Sequence, residues 1–306
     1  MSYFYKVFGL SLESPLACPE LLPGKAGSAP DVVIRYGEVP EELENPADSG
    51  ARWQTAPGRY LLNLKRVGRF LVKDGSEIVI QPVESISEDE IRTFLLSACL
   101  SVLLHQRKLF ALHVSGIHSG QGAVLFAGNS GAGKSTLVSA FLQRGYKMLS
   151  DDMLALTFDE QGRVTTLPGF PQVKLWADSA AALGRSTEGL RRILLKYEKF
   201  AAPTVEHFDP KPTPLHAVYF LRHHQSPEFI LEPLSETPRF NAFLDHTWQK
   251  LTLPGLGLRE WHFMTAARIA SLTYAARVTR PIEPFQLQEL ADLVETDFQR
   301  IVSPHE

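Results

Sequence analysis

A glycine-rich loop with one lysine is the segment whose residue types and spacing most directly specify chemistry. Residues 128–135 read Gly-Asn-Ser-Gly-Ala-Gly-Lys-Ser and match the pattern G-x-x-x-x-G-K-[ST]. Its glycines permit positive φ, so the backbone can close around phosphates with its N–H groups facing the anion. Lys134 would supply positive charge for the outer phosphates, and the Ser135 hydroxyl can bind Mg²⁺. The predicted nucleotide contacts are Gly128, Asn129, Ser130, Gly131, Ala132, Gly133, Lys134, Ser135 and Thr136.

Two adjacent aspartates, Asp151 and Asp152, follow the loop by little more than one helix length. A carboxylate at a strand end can hold Mg²⁺, and a second one beside it can accept a proton from an attacking hydroxyl, as phosphoryl transfer requires. The alternative is an ordinary structural role, as a helix cap or an Asx turn at the end of a strand. We predict Ser135, Asp151 and Asp152 as metal ligands and both aspartates as catalytic, with either of them able to act as the base.

His113 precedes the loop strand in the segment "LHVSGIHS". If its strand and the loop strand are antiparallel neighbours, His113 lies at the phosphate end. A lone histidine on an apolar strand is also commonly a core residue, so the residues alone leave both interpretations open. His113 and Lys134 complete the predicted catalytic set of Asp151, Asp152, His113 and Lys134.

Apolar periodicity indicates which elements must position these side chains. Residues 1–86 contain short β-rich runs, including a hairpin predicted at residues 74–75. Ser87 and Glu90 form a capping box ahead of helical spacing, which predicts a helix over 88–106.

Strand and helix patterns alternate from residue 109 onward, which favours an α/β domain with a mixed sheet. Helices are predicted over 134–143 and 188–200, and near 238–248 and 260–277. The sequence therefore predicts two domains: a smaller β-rich N-terminal domain over 1–86 and a P-loop domain over 87–306.

The composition is that of an ordinary globular chain, with 306 residues, 44% of them hydrophobic, and a net charge of −3. The basic residues are dispersed, so no nucleic-acid partner is expected. Neither a signal peptide nor an apolar run long enough to span a membrane is recognised. Cys18 and Cys99 are far apart and are expected to be reduced thiols, which fits a cytoplasmic location.

The histidine, the loop and the acidic pair together resemble the catalytic domain of bacterial HPr kinase/phosphorylase. That family has a histidine before a "GDSGxGKS"-like loop and a "rGhrLvaDD"-like strand end; the counterparts here are "ALHVSGIHSGQGAVLFAGNSGAGKST" and "QRGYKMLSDDMLAL". The resemblance implies a mixed sheet of the HPr-kinase and phosphoenolpyruvate-carboxykinase type, with ATP or another nucleoside triphosphate on the loop and Mg²⁺ beside it. It also implies that His113 is an active-site residue.

The remainder is similar to the HPr-kinase-like enzymes of lasso-peptide biosynthetic clusters, through segments such as "LLHQRKLFALH" and "LPGFPQVKLWADSAAALG". Those enzymes phosphorylate a serine of the precursor peptide. The family's "EIRG"-type acidic signature has no counterpart here, since "PGFPQVKLW" occupies that stretch. The resemblance therefore does not extend to HPr as the acceptor or to phosphorylase activity.

Three further side chains are secondary candidates. Lys174 could reach a phosphate or lie along the surface beside Trp176, and Asp178 could complete the metal site or cap a helix. Lys199 belongs to a basic segment that is a solvated helix face or, alternatively, a mobile lid or an acceptor-docking surface.

The sequence therefore predicts an ATP- and Mg²⁺-dependent phosphotransferase that acts on a serine hydroxyl of a peptide or protein acceptor, with a lasso-type precursor as the implied substrate. Two alternatives stay open: a small-molecule hydroxyl kinase on the same scaffold, and a non-catalytic nucleotide-binding module. A homo-oligomer is an expectation from the resemblance alone.

Overall fold

The structure is a computed structural model, which describes residues 2–27, 29–176, 188–189, 191–192, 199–283 and 286–301. Contacts divide the chain into two compact units. The first comprises Met1–Ala111 and Thr247–Thr265, and the second comprises Leu112–His246 and Ala266–Glu306. This division differs from the sequence-based boundary between residues 86 and 87, because the helix that follows residue 87 belongs to the first unit. Among the described residues, no helix is both long and apolar enough to cross a membrane.

The first unit is built mainly of strands. They are β1 (Tyr3–Val7), β2 (Leu10–Ser14), β3 (Leu22–Pro23), β4 (Val32–Tyr36), β5 (Asp48–Gly50), β6 (Trp53–Ala56), β7 (Arg59–Leu64), β8 (Gly68–Lys73) and β9 (Glu77–Pro82). Within the described residues they form one sheet in the order β3-β1-β2-β4-β9-β8-β7-β6-β5. β4 runs parallel to both of its neighbours, and the other pairs are antiparallel. The predicted hairpin is confirmed, since Asp74 and Gly75 both have positive φ between β8 and β9.

One helical segment follows this sheet, and it confirms the helix predicted over 88–106. It consists of α1 (Glu88–Phe94), a π-helical turn (Leu95–Cys99) and α2 (Leu100–Gln106). Ser87 Oγ accepts a hydrogen bond from the Glu90 amide and donates one to Glu90 Oε2, 3.0 Å away. Ser87 therefore caps the helix as predicted, while the Glu90 carboxylate binds the serine hydroxyl. Cys18 and Cys99 are both buried and free, as expected for reduced thiols.

The rest of the chain contributes the remaining strands and helices. They are β10 (Phe110–Leu112), β11 (Val114–His118), β12 (Ala123–Ala127), α3 (Lys134–Gln143), β13 (Lys147–Ser150), β14 (Leu154–Phe158), β15 (Val164–Leu167), β16 (Gln172–Trp176), β17 (Arg191–Arg192), β18 (Lys199–Pro203), β19 (Thr213–His224), β20 (Ile230–Pro233), α4 (Glu236–Asp245), α5 (Arg259–Leu272), β21 (Tyr274–Pro281) and α6 (Leu287–Arg300). Short 3₁₀ turns cover Val205–His207 and Lys250–Thr252. The mixed α/β class predicted from the sequence is confirmed.

The main sheet of the second unit places β12 at its centre. β12 pairs antiparallel with β11 and parallel with β19, and all five of its residues are buried. β13 pairs with the other edge of β11, while β21 and then β20 extend the sheet beyond β19. β14 and β15 join it through the start of β19. A separate sheet has the order β16-β18-β17.

Helix α3 is fixed by aromatic packing on both sides. The ring of Phe141 stacks on Phe126 of β12 with centroids 5.5 Å apart, and it also contacts Phe298 of α6 at 5.9 Å. Side chains such as these contribute about 1.5–3 kcal/mol each when fully buried. The predicted helix over 134–143 is confirmed, and its first turn is anchored at the end of a central strand.

Two helix predictions are wrong in part. Over 188–200, the residues Arg191–Arg192 and those from Lys199 onward are strands, whereas 190 and 193–198 lie outside the described residues. Pairing with β16 and β18 overrides the local helical spacing there. The helix predicted near 260–277 ends at Leu272, because β21 begins at Tyr274 and pairs with β19.

Candidate functional site

The glycine-rich loop follows β12 directly and ends at the first turn of α3. Gly128, Gly131 and Gly133 have φ of 151°, 86° and 103°, in the range that glycine alone adopts readily. A Cβ at Gly128 would also lie 2.8 Å from the Leu221 carbonyl oxygen. Glycine at 128 is therefore required both by its φ and by the close approach of β19.

The lysine of the loop is held against the loop backbone. Lys134 Nζ donates to the Gly128 carbonyl oxygen at 2.7 Å and to that of Asn129 at 3.5 Å, and the residue is only 8% exposed. These bonds keep the ammonium group at the mouth of the loop, where a phosphate could take the place of the carbonyls.

Strand register brings the histidine and the acidic pair to the loop. Val114 pairs with Ala127, and Gly116 pairs with Ser150. His113 and Gly128 therefore both lie just beyond one paired end of β11 and β12, and Asp151 continues β13 toward the same end. The prediction of antiparallel neighbours is confirmed, although His113 lies in the break between β10 and β11 and not within a strand.

Asp151 is buried and fully engaged by uncharged donors. Its Oδ1 accepts hydrogen bonds from the Ser115 hydroxyl and, at 2.9 Å, from the Ser135 hydroxyl, while Oδ2 accepts one from the Lys174 amide at 2.7 Å. Only 2% of the residue is exposed. Three donors fix both carboxylate oxygens, so this carboxylate has a single orientation beside the hydroxyl of Ser135.

Asp152 has a different environment. Its Oδ2 lies 2.7 Å from Lys174 Nζ, and its Oδ1 lies 3.7 Å from His113 Nδ1. Its φ is 79°, a left-handed conformation that costs a non-glycine residue on the order of 1 kcal/mol or more. The strained backbone turns this carboxylate away from the position of Asp151 and toward the histidine.

A cavity of about 110 Å³ lies between the loop and these side chains. It is lined by His113, Asn129, Ser130, Gly131, Gly133, Lys134, Ser135, Thr136, Asp151, Asp152 and Lys174. The structure thus brings together all four predicted catalytic residues and most of the loop. Gly128 and Ala132 belong to the same loop without lining the cavity.

Ser135 and Asp151 fit a magnesium site in the chemistry of their donors. Mg²⁺ prefers oxygen ligands and is commonly bound by one or two carboxylates together with phosphate oxygens and water. In the described part of the chain, no group of three or more His, Cys, Asp or Glu side chains is gathered closely enough to hold a metal. The Ser135 hydroxyl and the Asp151 carboxylate supply oxygen donors of the kind that Mg²⁺ prefers.

Two residues of the site were missed by sequence reasoning. Ser115 contacts Asp151 from the adjacent strand, and Arg280 lies behind the loop at the end of β21. Arg280 Nε donates to the Ala132 carbonyl oxygen at 3.2 Å and Nη2 to that of Gly131 at 3.4 Å. Burial lowers the pKa of this guanidinium from its ordinary value. An isolated serine and an arginine before a proline gave no signal in the sequence.

The secondary candidates differ in outcome. Lys174 contacts both aspartates and lines the cavity, so it is placed at the site. Asp178 lies outside the described residues, and the structure describes the backbone of Lys199 in β18 but not its side chain.

Comparisons with known proteins give little further guidance. No protein-family model matches the sequence, and none of the curated proteins matches it. Among solved structures, the HPr(Ser) kinase/phosphatase from Coxiella burnetii matches with 13% identity and a TM-score of 0.30, covering 61% of this chain and 91% of that one. At that TM-score the likeness assigns neither a fold family nor an activity to this chain.

Proposed function

We propose that this protein is a kinase that uses ATP and Mg²⁺ to phosphorylate a serine hydroxyl of a peptide or protein. The proposal rests on the contrast between the two aspartates: Asp151 is fixed beside Ser135, whereas Asp152 faces His113 and Lys174 in the cavity. A site that only binds a nucleotide needs neither the second carboxylate nor the histidine. A lasso-type precursor peptide is the acceptor that the sequence resemblance implies.

Ser135 and Asp151 are the metal ligands in this proposal. The fixed orientation of Asp151 suits a ligand, because a carboxylate already held by three donors needs no reorganisation when a cation binds. When bound, Mg²⁺ would neutralise charge on the β- and γ-phosphates.

Asp152 is the general base. The serine oxygen forms a bond to the γ-phosphorus, the bond from that phosphorus to the β,γ-bridging oxygen breaks, and the serine proton passes to the Asp152 carboxylate. His113, 3.7 Å from the same carboxylate, orients it and contributes positive charge when protonated.

The two lysines bind the phosphates. Lys134 Nζ exchanges its backbone carbonyl partners for β- and γ-phosphate oxygens. Lys174 Nζ leaves Asp152 for the γ-phosphate, which frees the carboxylate to accept the proton. Binding of the triphosphate thus also activates the base.

The test is mass spectrometry of candidate acceptors after incubation with the purified protein, ATP and Mg²⁺. The acceptors are a precursor peptide encoded beside the protein, HPr and a pool of hydroxyl metabolites. A gain of about 80 Da on a peptide serine, absent with Lys134→Ala, is the expected result. Phosphorylation of a metabolite alone would establish a small-molecule kinase instead. ATP binding without transfer to any acceptor would indicate a non-catalytic module.

A further inference from the structure

A second, larger cavity lies wholly within the first unit. It has a volume of about 500 Å³ and opens between residues 41–42, 50–54 and 63–67. Its floor is apolar, formed by the buried side chains of Leu61, Leu64 and Val67, and Trp53 and Phe94 line its walls half-buried.

The floor of this cavity belongs to the core of the unit. Leu61 packs in a cluster with Val39, Leu43, Ala56, Leu71 and Val79. Trp53 lies against Gly50, where an added Cβ would come within 2.5 Å of the indole nitrogen. The apolar floor of the cavity is therefore part of the packed core of the unit.

Three exposed cations, Arg52, Lys65 and Arg66, line the same cavity. None of their side chains has a hydrogen-bond or ion-pair partner among the residues that the structure describes. Of the two carboxylates at the cavity, Glu41 already pairs with Arg69 at 3.2 Å. Glu42 is the other carboxylate, so three cations face one remaining negative charge and the rim has a net positive charge above an apolar floor.

This combination selects a particular kind of ligand. A volume of about 300–1,000 Å³ is typical of pockets that enclose a ligand, and this cavity can take one or two large apolar side chains. The unpaired cations complement carboxylates on either side of such an anchor. A concave apolar floor does not match a flat bilayer, and three cations make no continuous stripe for a nucleic-acid backbone.

We propose that this basic-rimmed cavity, formed by Arg52, Trp53, Lys65, Arg66 and Phe94 over Leu61, binds an acidic segment with an apolar anchor in the acceptor peptide. The proposal rests on the kinase function proposed above, because it assigns a recognition site for that enzyme's peptide substrate. It locates substrate recognition in side chains other than those that perform the transfer.

The experiment measures binding without ATP, by fluorescence anisotropy of labelled synthetic peptides. One probe carries a phenylalanine flanked by glutamates, and its twin carries lysines in place of the glutamates. We expect the acidic probe alone to bind, and we expect the triple variant Arg52→Glu, Lys65→Glu, Arg66→Glu to weaken that binding at least about tenfold. The charge-matched control reverses Lys6, Lys25 and Lys211, which are exposed elsewhere and should leave binding unchanged.

Other outcomes overturn the proposal. It is overturned if the lysine twin binds equally well, or if the triple variant has a native circular dichroism spectrum and an unchanged affinity. It is also overturned if phosphatidylserine vesicles or oligo(dT) bind in place of the peptide. A separate result would contradict the kinase function: the peptide binds, but no phosphate is transferred to any acceptor. Transfer with an unaltered peptide KM in the triple variant sinks the docking site alone.

Discussion

The two cavities of this protein differ in size and in the kinds of residues that line them. The cavity at the loop is small, about 110 Å³, and it is lined by backbone, short polar residues and charged groups that already contact one another. The cavity of the first unit is about 500 Å³, with an apolar floor and three cations that lack partners in the described part of the chain.

In the proposed function, this difference separates phosphoryl transfer at one cavity from peptide recognition at the other. Groups that transfer a phosphoryl must be oriented before the substrate arrives, so their hydrogen bonds are satisfied in advance. A docking surface gains affinity from apolar area and charges that the partner completes, so it leaves them uncompensated. Substitutions should therefore affect turnover at the first cavity and peptide affinity at the second.

The largest effect is expected from Asp152→Asn. The amide keeps the shape of the side chain but cannot accept the serine proton, so kcat should fall by about a thousandfold with ATP affinity changed less than about twofold. Steady-state kinetics measure kcat, and nucleotide titration measures the affinity for ATP. Asp74→Asn is the matched control, since Asp74 also has positive φ but lies in a hairpin turn. Full activity of Asp152→Asn would exclude it as the base.

A smaller effect is expected from Arg280→Met. The loop carbonyls of Gly131 and Ala132 lose their guanidinium donors, so the loop is less fixed and the KM for ATP should rise about tenfold, with kcat at saturating ATP nearly unchanged. Arg277→Met, on the same strand, should change neither quantity. An equal loss in both variants would mean that Arg280 acts only on stability.

Trp53→Ala tests the recognition side of the comparison. Removing the indole from the basic-rimmed cavity should weaken binding of the acidic probe about fivefold and leave ATP binding unchanged, because aromatic anchors dominate such surfaces. Trp53→Phe should retain most of the affinity. A loss of ATP affinity in Trp53→Ala would contradict independent roles for the two cavities.

The smallest effect is expected on the melting temperature, from the protonation of two histidines of the first unit at low pH. Burial lowers the pKa of both His105 and His262 to about 4. Both imidazoles are therefore neutral in the folded protein at neutral pH. As the pH falls below about 6.5, the two histidines become protonated in the unfolded chain before they do so in the folded protein. Their contribution to stability is complete above that pH and is lost progressively down to pH 4. Thermal melting should show a Tm several degrees lower at pH 5 than at pH 7.

A double variant, His105→Asn with His262→Asn, separates these histidines from other titrating groups. It should flatten the dependence of Tm on pH, whatever its stability at pH 7. An equally steep dependence in the variant would assign the effect to other residues.

The sequence located the parts of the site that are local in the chain. The loop needs eight consecutive residues, and Asp151 and Asp152 follow it after one helix, so spacing alone placed them near the loop. His113 needed one assumption about strand direction, which the register of β11 and β12 confirms.

Contacts between distant residues were not predictable in this way. Arg280 reaches Ala132 across 148 positions and Ser115 reaches Asp151 across 36, and neither pair leaves a pattern in a single sequence. Lys174 was named as a candidate, but its contacts with both aspartates depend on where β16 lies. The helix predicted over 188–200 is wrong at Arg191–Arg192 and at Lys199 for the same reason, since strand pairing decides the structure of those residues.

The left-handed backbone at Asp152 lowers the stability of the protein at the same position whose carboxylate is proposed to act in catalysis. Glycine and asparagine adopt a φ of 79° at lower cost than aspartate does. A laboratory evolution experiment that selects for heat resistance alone should therefore enrich Asp152→Gly and Asp152→Asn. Under the proposed function, the survivors would still bind ATP but no longer transfer phosphate, so such a selection needs a second screen for catalysis.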